Sequence, residues 1–164
     1  MLYDSAWLPG AEPRLLSTGR YQPVHLWDAG SGDLMTSYKC INHLDELTHA
    51  FSLCATPDGG QFLAGLKNQV RTFDLERPGR SCQVTVTGDK SGKGQVGIIS
   101  SLAVNPALGL YAAGSYSKTV GLYSLNGTRL CILGGHSGGV TQVGLIYLQT
   151  QILVFFLINA SGIF

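Results

Sequence analysis

The chain has 164 residues, of which 45% are hydrophobic, 13% are charged and 22 are glycine, with a formal net charge of +1. This composition excludes a disordered or low-complexity chain and suits short buried strands joined by tight turns. The near-neutral balance leaves no bulk electrostatic footprint for nucleic acid, and no long stretch of apolar 3-4 spacing marks an amphipathic helix.

In chain order, Met1 to Gly10 has neither a basic start nor a continuous apolar run, so no secretory signal is expected. The first strong element is PVHLWDAGSGDL, Pro23 to Leu34, a strand ending in Trp27-Asp28 and followed, beyond a glycine-rich turn, by a strand over Asp33 to Lys39. Two further segments, Asn68 to Arg80 and Lys118 to Leu130, end a strand in Phe73-Asp74 and in Tyr123. The three aromatics stand 46 and 50 residues apart, close to the ~40–45 of a WD-type propeller blade.

Ser52 to Leu75 aligns with Ser101 to Leu125 with one inserted residue, and each unit reads as three strands. The first strand, around Leu53 or Leu102, ends at Pro57 or Pro106, which lacks the N–H needed to continue a ladder. The second covers Phe62 to Gly65, or Tyr111 to Gly114, with the glycine expected to supply a positive φ into a hairpin turn carrying Asn68 or Ser117. The third carries the aromatic. Fourth strands are expected over Ser81 to Thr87 and over Thr128 to Leu133.

The charge is unevenly spread. Met1 to Leu66 holds three basic and seven acidic side chains, whereas Lys67 to Lys93 holds six basic against three acidic. A locally basic middle can touch phosphate, but Lys and Arg on outer strands also discourage edge-to-edge pairing. Cys40, Cys54, Cys82 and Cys131 form no C-x-x-C pair and read as reduced, packed thiols.

Chemical motifs are weak. HLDELTH brings His43, Asp45, Glu46 and His49 together, but the histidines are not at i, i+4 and no cysteine adjoins them, so a blade-linking loop is preferred to a metal site. GDKSGKG, Gly88 to Gly94, lacks both the spacing of a phosphate loop and the hydroxyl residue after Lys93; a flexible basic loop is expected. No nucleophile elbow, carboxylate pair or Cys/His arrangement supports catalysis, and a non-enzyme with neither metal nor cofactor is expected.

A set of local motifs carries a family resemblance: QPVHLWDAGSGDL at Gln22 to Leu34, NHLDELT at Asn42 to Thr48, SLCATPDG at Ser52 to Gly59, ERPGRSC at Glu76 to Cys82, VGIISSLAVNP at Val96 to Pro106, Leu110 to Tyr123, and Ile132 to Thr141. Together they resemble the telomerase Cajal body protein family of WD-repeat proteins over roughly Leu15 to Val143. The resemblance implies an all-β WD-repeat β-propeller fragment of about three antiparallel blades, not closed. It also implies binding of box H/ACA small Cajal body RNA and the telomerase ribonucleoprotein, a nuclear, Cajal-body location, and folding assisted by the cytosolic chaperonin.

RNA loops are read by stacking and phosphate contacts, and Arg71, Arg77, Arg80, Lys90 and Lys93 are the expected phosphate contacts. A protein-interaction propeller without RNA contact is the alternative. In WD repeats the histidine of a Gly-His pair, here His136, bonds a turn Asp within a network that includes a strand hydroxyl and the Trp indole. The Asp partner of His136 is expected beyond the matched segment, and Thr18 is the expected hydroxyl partner of Trp27. The repeat positions are thus Thr18, Trp27, Asp28, Phe73, Asp74, Tyr123 and His136. The partial propeller is expected over residues 1–142. Residues 143–164, GLIYLQTQILVFFLINASGIF after Val143, depart from the family pattern and read as a divergent apolar tail of the kind a retained intron or truncated gene model produces. Its unbroken apolar run, Ile152 to Ile158, falls short of a membrane span, for which ~20 residues are needed; a buried or aggregating strand is expected.

Overall fold

The computed structural model describes residues 1–89, 91–148 and 151–158, with side chains described as far as residue 144. Strands β1 (Leu2–Trp7), β2 (Arg14–Gly19), β3 (Val24–Asp28) and β4 (Leu34–Tyr38) form an antiparallel meander. A small hairpin, β5 (Cys40–Ile41) with β6 (Leu47–Thr48), leads to a second meander of β7 (Ser52–Ala55), β8 (Gln61–Gly65), β9 (Gln69–Asp74) and β10 (Gln83–Val86). A third comprises β11 (Ile99–Asn105), β12 (Leu110–Ser115), β13 (Val120–Ser124) and β14 (Arg129–Leu133). Finally β15 (Val140–Leu148) pairs with β16 (Gln151–Ile158). This is a partial WD-repeat propeller, and its sheets do not close on one another among the described residues.

The expected strands agree with these elements within a residue or two, and Pro106 opens a single 3-10 turn capped by the Asn105 side chain and by Gly109 at φ 62°. Strand β1 and the β5–β6 hairpin are additions. The tail segment 151–158, expected to be a strand, is one, and the boundary expected at 142/143 falls inside β15. Among the described residues no helix is long and apolar enough to cross a membrane.

The core lies between sheets, and strand alternation assigns each residue to one side or the other. In β8, Phe62 and Ala64 join Leu16, Leu26 and Tyr38 between the first and second blades. Their neighbour Leu63 joins Ile99, Tyr111 and Tyr123 between the second and third. In β12, Tyr111 and Ala113 face the second blade, while Ala112 packs with Val140 and Val143 of β15. With both faces covered, these strands read as near-continuous apolar runs rather than alternating ones. The register confirms the repeat: Trp27 lies opposite Leu15, Phe73 opposite Phe62 and Tyr123 opposite Tyr111. The two later pairs stack at 5.1 and 5.2 Å between centroids. Complete burial of a ring such as Phe73 or Tyr123 contributes about 1.5–3 kcal/mol.

One expectation needs correction. Gly65 and Gly114 do not adopt positive φ; that role falls to Asn68 at 61° and Lys118 at 65°. The glycines are required by close approach instead. A Cβ on Gly65 would sit 2.2 Å from Ser52 Oγ and 2.9 Å from the Ile99 carbonyl oxygen, and one on Gly114 would sit 2.7 Å from Val143 Cγ2. Both mark where the next inner strand presses against its neighbour. Gly65→Ala is therefore expected to lower stability by about 1–3 kcal/mol, read as a lower urea midpoint by circular dichroism. Gly134→Ala, where the added carbon meets nothing within 4 Å, should leave the midpoint in place.

Candidate nucleic-acid interface

The inner strands are tied by one recurring polar position. Asp4, Ser52 and Ser101 occupy equivalent places, paired with Thr18, Gly65 and Gly114 on the adjacent strand. Asp4 accepts the Leu53 N–H at 2.7 Å, Ser52 donates to the Ile99 carbonyl at 2.9 Å, and Ser101 accepts the Val143 N–H at 2.9 Å. Each side chain reaches the following blade, so these bonds set the stagger of the stack. Burial pushes the Asp4 carboxyl up while the Leu53 and Ser5 N–H groups pull it down, with burial the larger effect.

The Trp27 indole donates to Ser17 Oγ at 2.8 Å, not to Thr18. Alternation explains this correction: Trp27 lies opposite Leu15, so Ser17, two residues on, shares its face and Thr18 does not. Thr18 donates instead to the Ala50 carbonyl at 3.0 Å, joining the approach to the second blade. Asp28 and Asp74 cap the β3–β4 and β9–β10 turns, accepting the N–H groups of Gly30 and Glu76 respectively. His136 is half-buried in the connection from β14 to β15.

No motif or periodicity marks Gln95, which is fully buried. Its amide nitrogen donates to the carbonyls of Ala113 and Thr119 at 2.6 and 3.1 Å, and its oxygen accepts the Tyr123 hydroxyl at 3.1 Å. Thr87 donates to its backbone carbonyl. The Tyr123 hydroxyl and Gln95 thus form in the third blade a polar link different from the indole bond of the first. Burial pushes the phenols of Tyr111 and Tyr123 up to about 12.

Among the described residues, the expected phosphate contacts do not form one surface. Arg71 is buried and donates from Nη2 to the Ile41 carbonyl at 2.7 Å, pinning the β5–β6 hairpin to the second blade and removing this guanidinium from reach of an RNA backbone. Arg77 lies 3.7 Å from Asp74 and Arg80 lies 2.8 Å from Asp45, both exposed pairs. Lys93 is exposed in the β10–β11 connection, and Lys90 lies outside the described residues. Arg77 and Arg80 leave one end of the four-residue β10, and Lys93 leaves the other. Neighbours in sequence are therefore separated by a whole strand.

In the same connection Asp89 accepts Ser91 and Lys93 N–H groups and the Ser91 hydroxyl, which hold its carboxyl below the usual range. The HLDELTH segment is the β5–β6 hairpin: Asn42 Oδ1 accepts the N–H groups of Leu44 and Glu46, Asp45 pairs with Arg80, and His49 stacks against aromatics instead of joining His43. Among the described residues no cluster of three metal-ligating side chains occurs. All four cysteines are free, and burial raises the Cys40 thiol to about 12.

Gln95→Leu keeps the volume but takes the buried amide partner from the Ala113 carbonyl and the Tyr123 hydroxyl, while the Thr119 carbonyl retains the Ser115 N–H. It is expected to cost about 2–4 kcal/mol, measured by urea denaturation, with Tyr123→Phe costing less because the amide keeps both carbonyl partners.

No protein-family model matches the chain. It is 47% identical over 149 residues to Telomerase Cajal body protein 1 of Rattus norvegicus, covering 87% of this chain and 28% of that protein. Telomerase Cajal body protein 1 homolog of Drosophila melanogaster is 32% identical over 152 residues, covering 87% and 27%. Guanine nucleotide-binding protein negative regulator 1 of Schizosaccharomyces pombe is 32% identical over 123 residues, covering 71% and 31%. The chain spans less than a third of the length of these curated relatives.

Proposed function

The chain is a WD-repeat relative of the telomerase Cajal body proteins, similar to about 28% of their length, and from this premise we propose that it serves as part of a non-enzymatic propeller that binds box H/ACA small Cajal body RNA. On this reading it works with the telomerase ribonucleoprotein in the nucleus, at Cajal bodies, after chaperonin-assisted folding. The observation that carries the reading is the 47% identity over 149 residues. Phosphate contacts fall to exposed Arg77, Arg80 and Lys93 together with Lys90, while Arg71 acts structurally. A second reading, a protein-interaction propeller without RNA contact, is favoured by exposed Val84, Val86 and Leu130 on outer strands.

Filter binding separates the two. The chain, carried on a soluble fusion partner, should retain a box H/ACA hairpin RNA with affinity that falls as salt rises. Retention no greater than that of the fusion partner alone would exclude the RNA reading.

The repeat is proposed to end at residue 142, with 143–164 of separate origin; sequencing transcripts across the codon for Val143 tests that boundary. The working unit is proposed to be a larger ring. Propellers use ~4–8 blades so that every sheet face is covered. Here Trp27 is only half-buried and Trp7 is 64% exposed. The isolated chain is accordingly expected to associate on size-exclusion chromatography; a monomeric peak with a sharp cooperative melt would contradict this.

A further inference from the structure

The two ends of the propeller differ in chemistry. The beginnings of β1, β7, β11 and β15 converge on a cavity of about 620 Å³ whose wall includes Tyr3, Phe51, Ile98, Ser101 and Tyr116. The finishing ends of β1 and β7 share a separate, more apolar hollow lined by Trp7, Leu8, Ala55 and Pro57. Because each blade is an antiparallel meander, its connections alternate between these ends. Arg20, Lys67, Lys93 and Lys118 fall in connections at the cavity end. Glu12, Asp33, Asp58 and Glu76 fall at the other, where β3 and β9 also finish in Asp28 and Asp74. The acidic groups at the cavity end are engaged: Asp45 with Arg80, Glu46 with the Asn42 amide, Asp89 within its own loop and Asp4 with the Leu53 N–H.

Beside this cavity lies a ring cluster that no fold requirement explains. His49 stacks on Tyr3 at 5.4 Å, and Phe51 and Tyr21 meet its ring nearly edge-on at 5.0 and 5.6 Å. The His49 Nδ1 is buried without a hydrogen-bond partner. Tyr21 is 64% exposed and sits at φ 56°, a left-handed conformation costly for a bulky residue. Arg20 lies over its ring, 5.0 Å from the centroid. An exposed ring held in strained backbone, backed by aromatics and topped by a guanidinium, is the chemistry that stacks unpaired bases.

We propose that the cavity end of this propeller is a platform for single-stranded RNA, with Tyr21 and the Tyr3–His49–Phe51 cluster stacking unpaired bases while Arg20, Lys67, Lys93 and Lys118 meet phosphates. The proposal rests on the RNA-binding reading above and relocates its contacts. Of the cations picked out from sequence, among the described residues Lys93 belongs to this end, and Arg80 reaches it through its pair with Asp45. The acidic opposite end repels phosphate and carries Arg77 already paired with Asp74.

The test uses the full chain on its soluble fusion partner, with a fluorescein-labelled oligouridine and a box H/ACA hairpin RNA as probes. Tyr21→Gly removes the ring and relieves the positive φ, so it preserves the fold. It is expected to weaken binding of both probes by roughly tenfold. Lys93→Glu should also weaken binding and reduce the salt dependence, whereas Arg77→Glu should change neither. A 4-thiouridine-substituted oligouridine should crosslink to peptides containing Tyr21 or Phe51. If the parent chain binds RNA but Tyr21→Gly binds equally well and crosslinks fall within Arg71 to Arg80, the platform is overturned and the RNA reading stands. If the parent binds neither probe, both fail. RNA binding unchanged by Tyr21→Gly, with loss of a protein partner instead, would make this end a protein-docking surface and overturn the proposal.

Discussion

Each central sheet of this chain must be covered on two faces, and strand alternation makes that requirement local to single residues. Phe62 and Leu63 are adjacent in sequence yet belong to different cores, one shared with the first blade and the other with the third. Tyr111 and Ala112 divide in the same way between the second blade and β15. A blade therefore contributes half of two cores and the whole of none, so its stability depends on its neighbours. Close packing follows directly: the inner strands approach until Gly65 and Gly114 are the only residue type that fits.

Polar groups obey the same dependence. The Asp4, Ser52 and Ser101 side chains each engage the backbone of the following blade, so every junction has one hydrogen bond that a sliding sheet would break. Gln95 performs the corresponding task from a connection. It satisfies two carbonyls and one phenol in a site closed to water, where an unmade bond would be costly. The Trp27–Ser17 bond and the Tyr123–Gln95 bond show that the repeat conserves the place of an aromatic without conserving its partner. What recurs is a ring on the third strand, fully buried at Phe73 and Tyr123 and half-buried at Trp27; the polar atom at the edge of Trp27 or Tyr123 finds whichever donor or acceptor the local register brings near.

The repeat itself was legible in the sequence because it is written in strand-period units: an aromatic before a turn, a proline after an inner strand, a glycine near the end of the second. Strand β1 was harder to see, since LYDSAW contains one face that the described chain leaves partly open and so lacks the continuous apolar run of β8. The β5–β6 hairpin has only two residues per strand, and its clearest signal, Asn42 capping the turn, resembles any Asx loop. Assigning Thr18 rather than Ser17 to the indole was a one-residue error, but in a strand one residue is the opposite face. The glycine at the end of β8 invited a turn explanation because sequence shows local conformation more readily than the approach of a strand 34 positions away at Ile99.

The charged residues show the limit most clearly. In sequence, Arg71 to Lys93 is a single basic stretch; in the fold, β9 buries its first member, the β9–β10 connection carries Arg77 to one end and turns Arg80 back onto Asp45 of the β5–β6 hairpin, and β10 returns the chain so that Lys93 emerges at the other end. Meanwhile Arg20, Lys67 and Lys118, which are isolated along the chain, come to that same end because each follows or precedes a strand running in the matching direction. A meander sorts charge by the parity of its connections, not by distance in sequence. A surface potential on such a fold is therefore set by which turns carry which sign, and four well-placed cations can define one end of a molecule whose net charge is only +1.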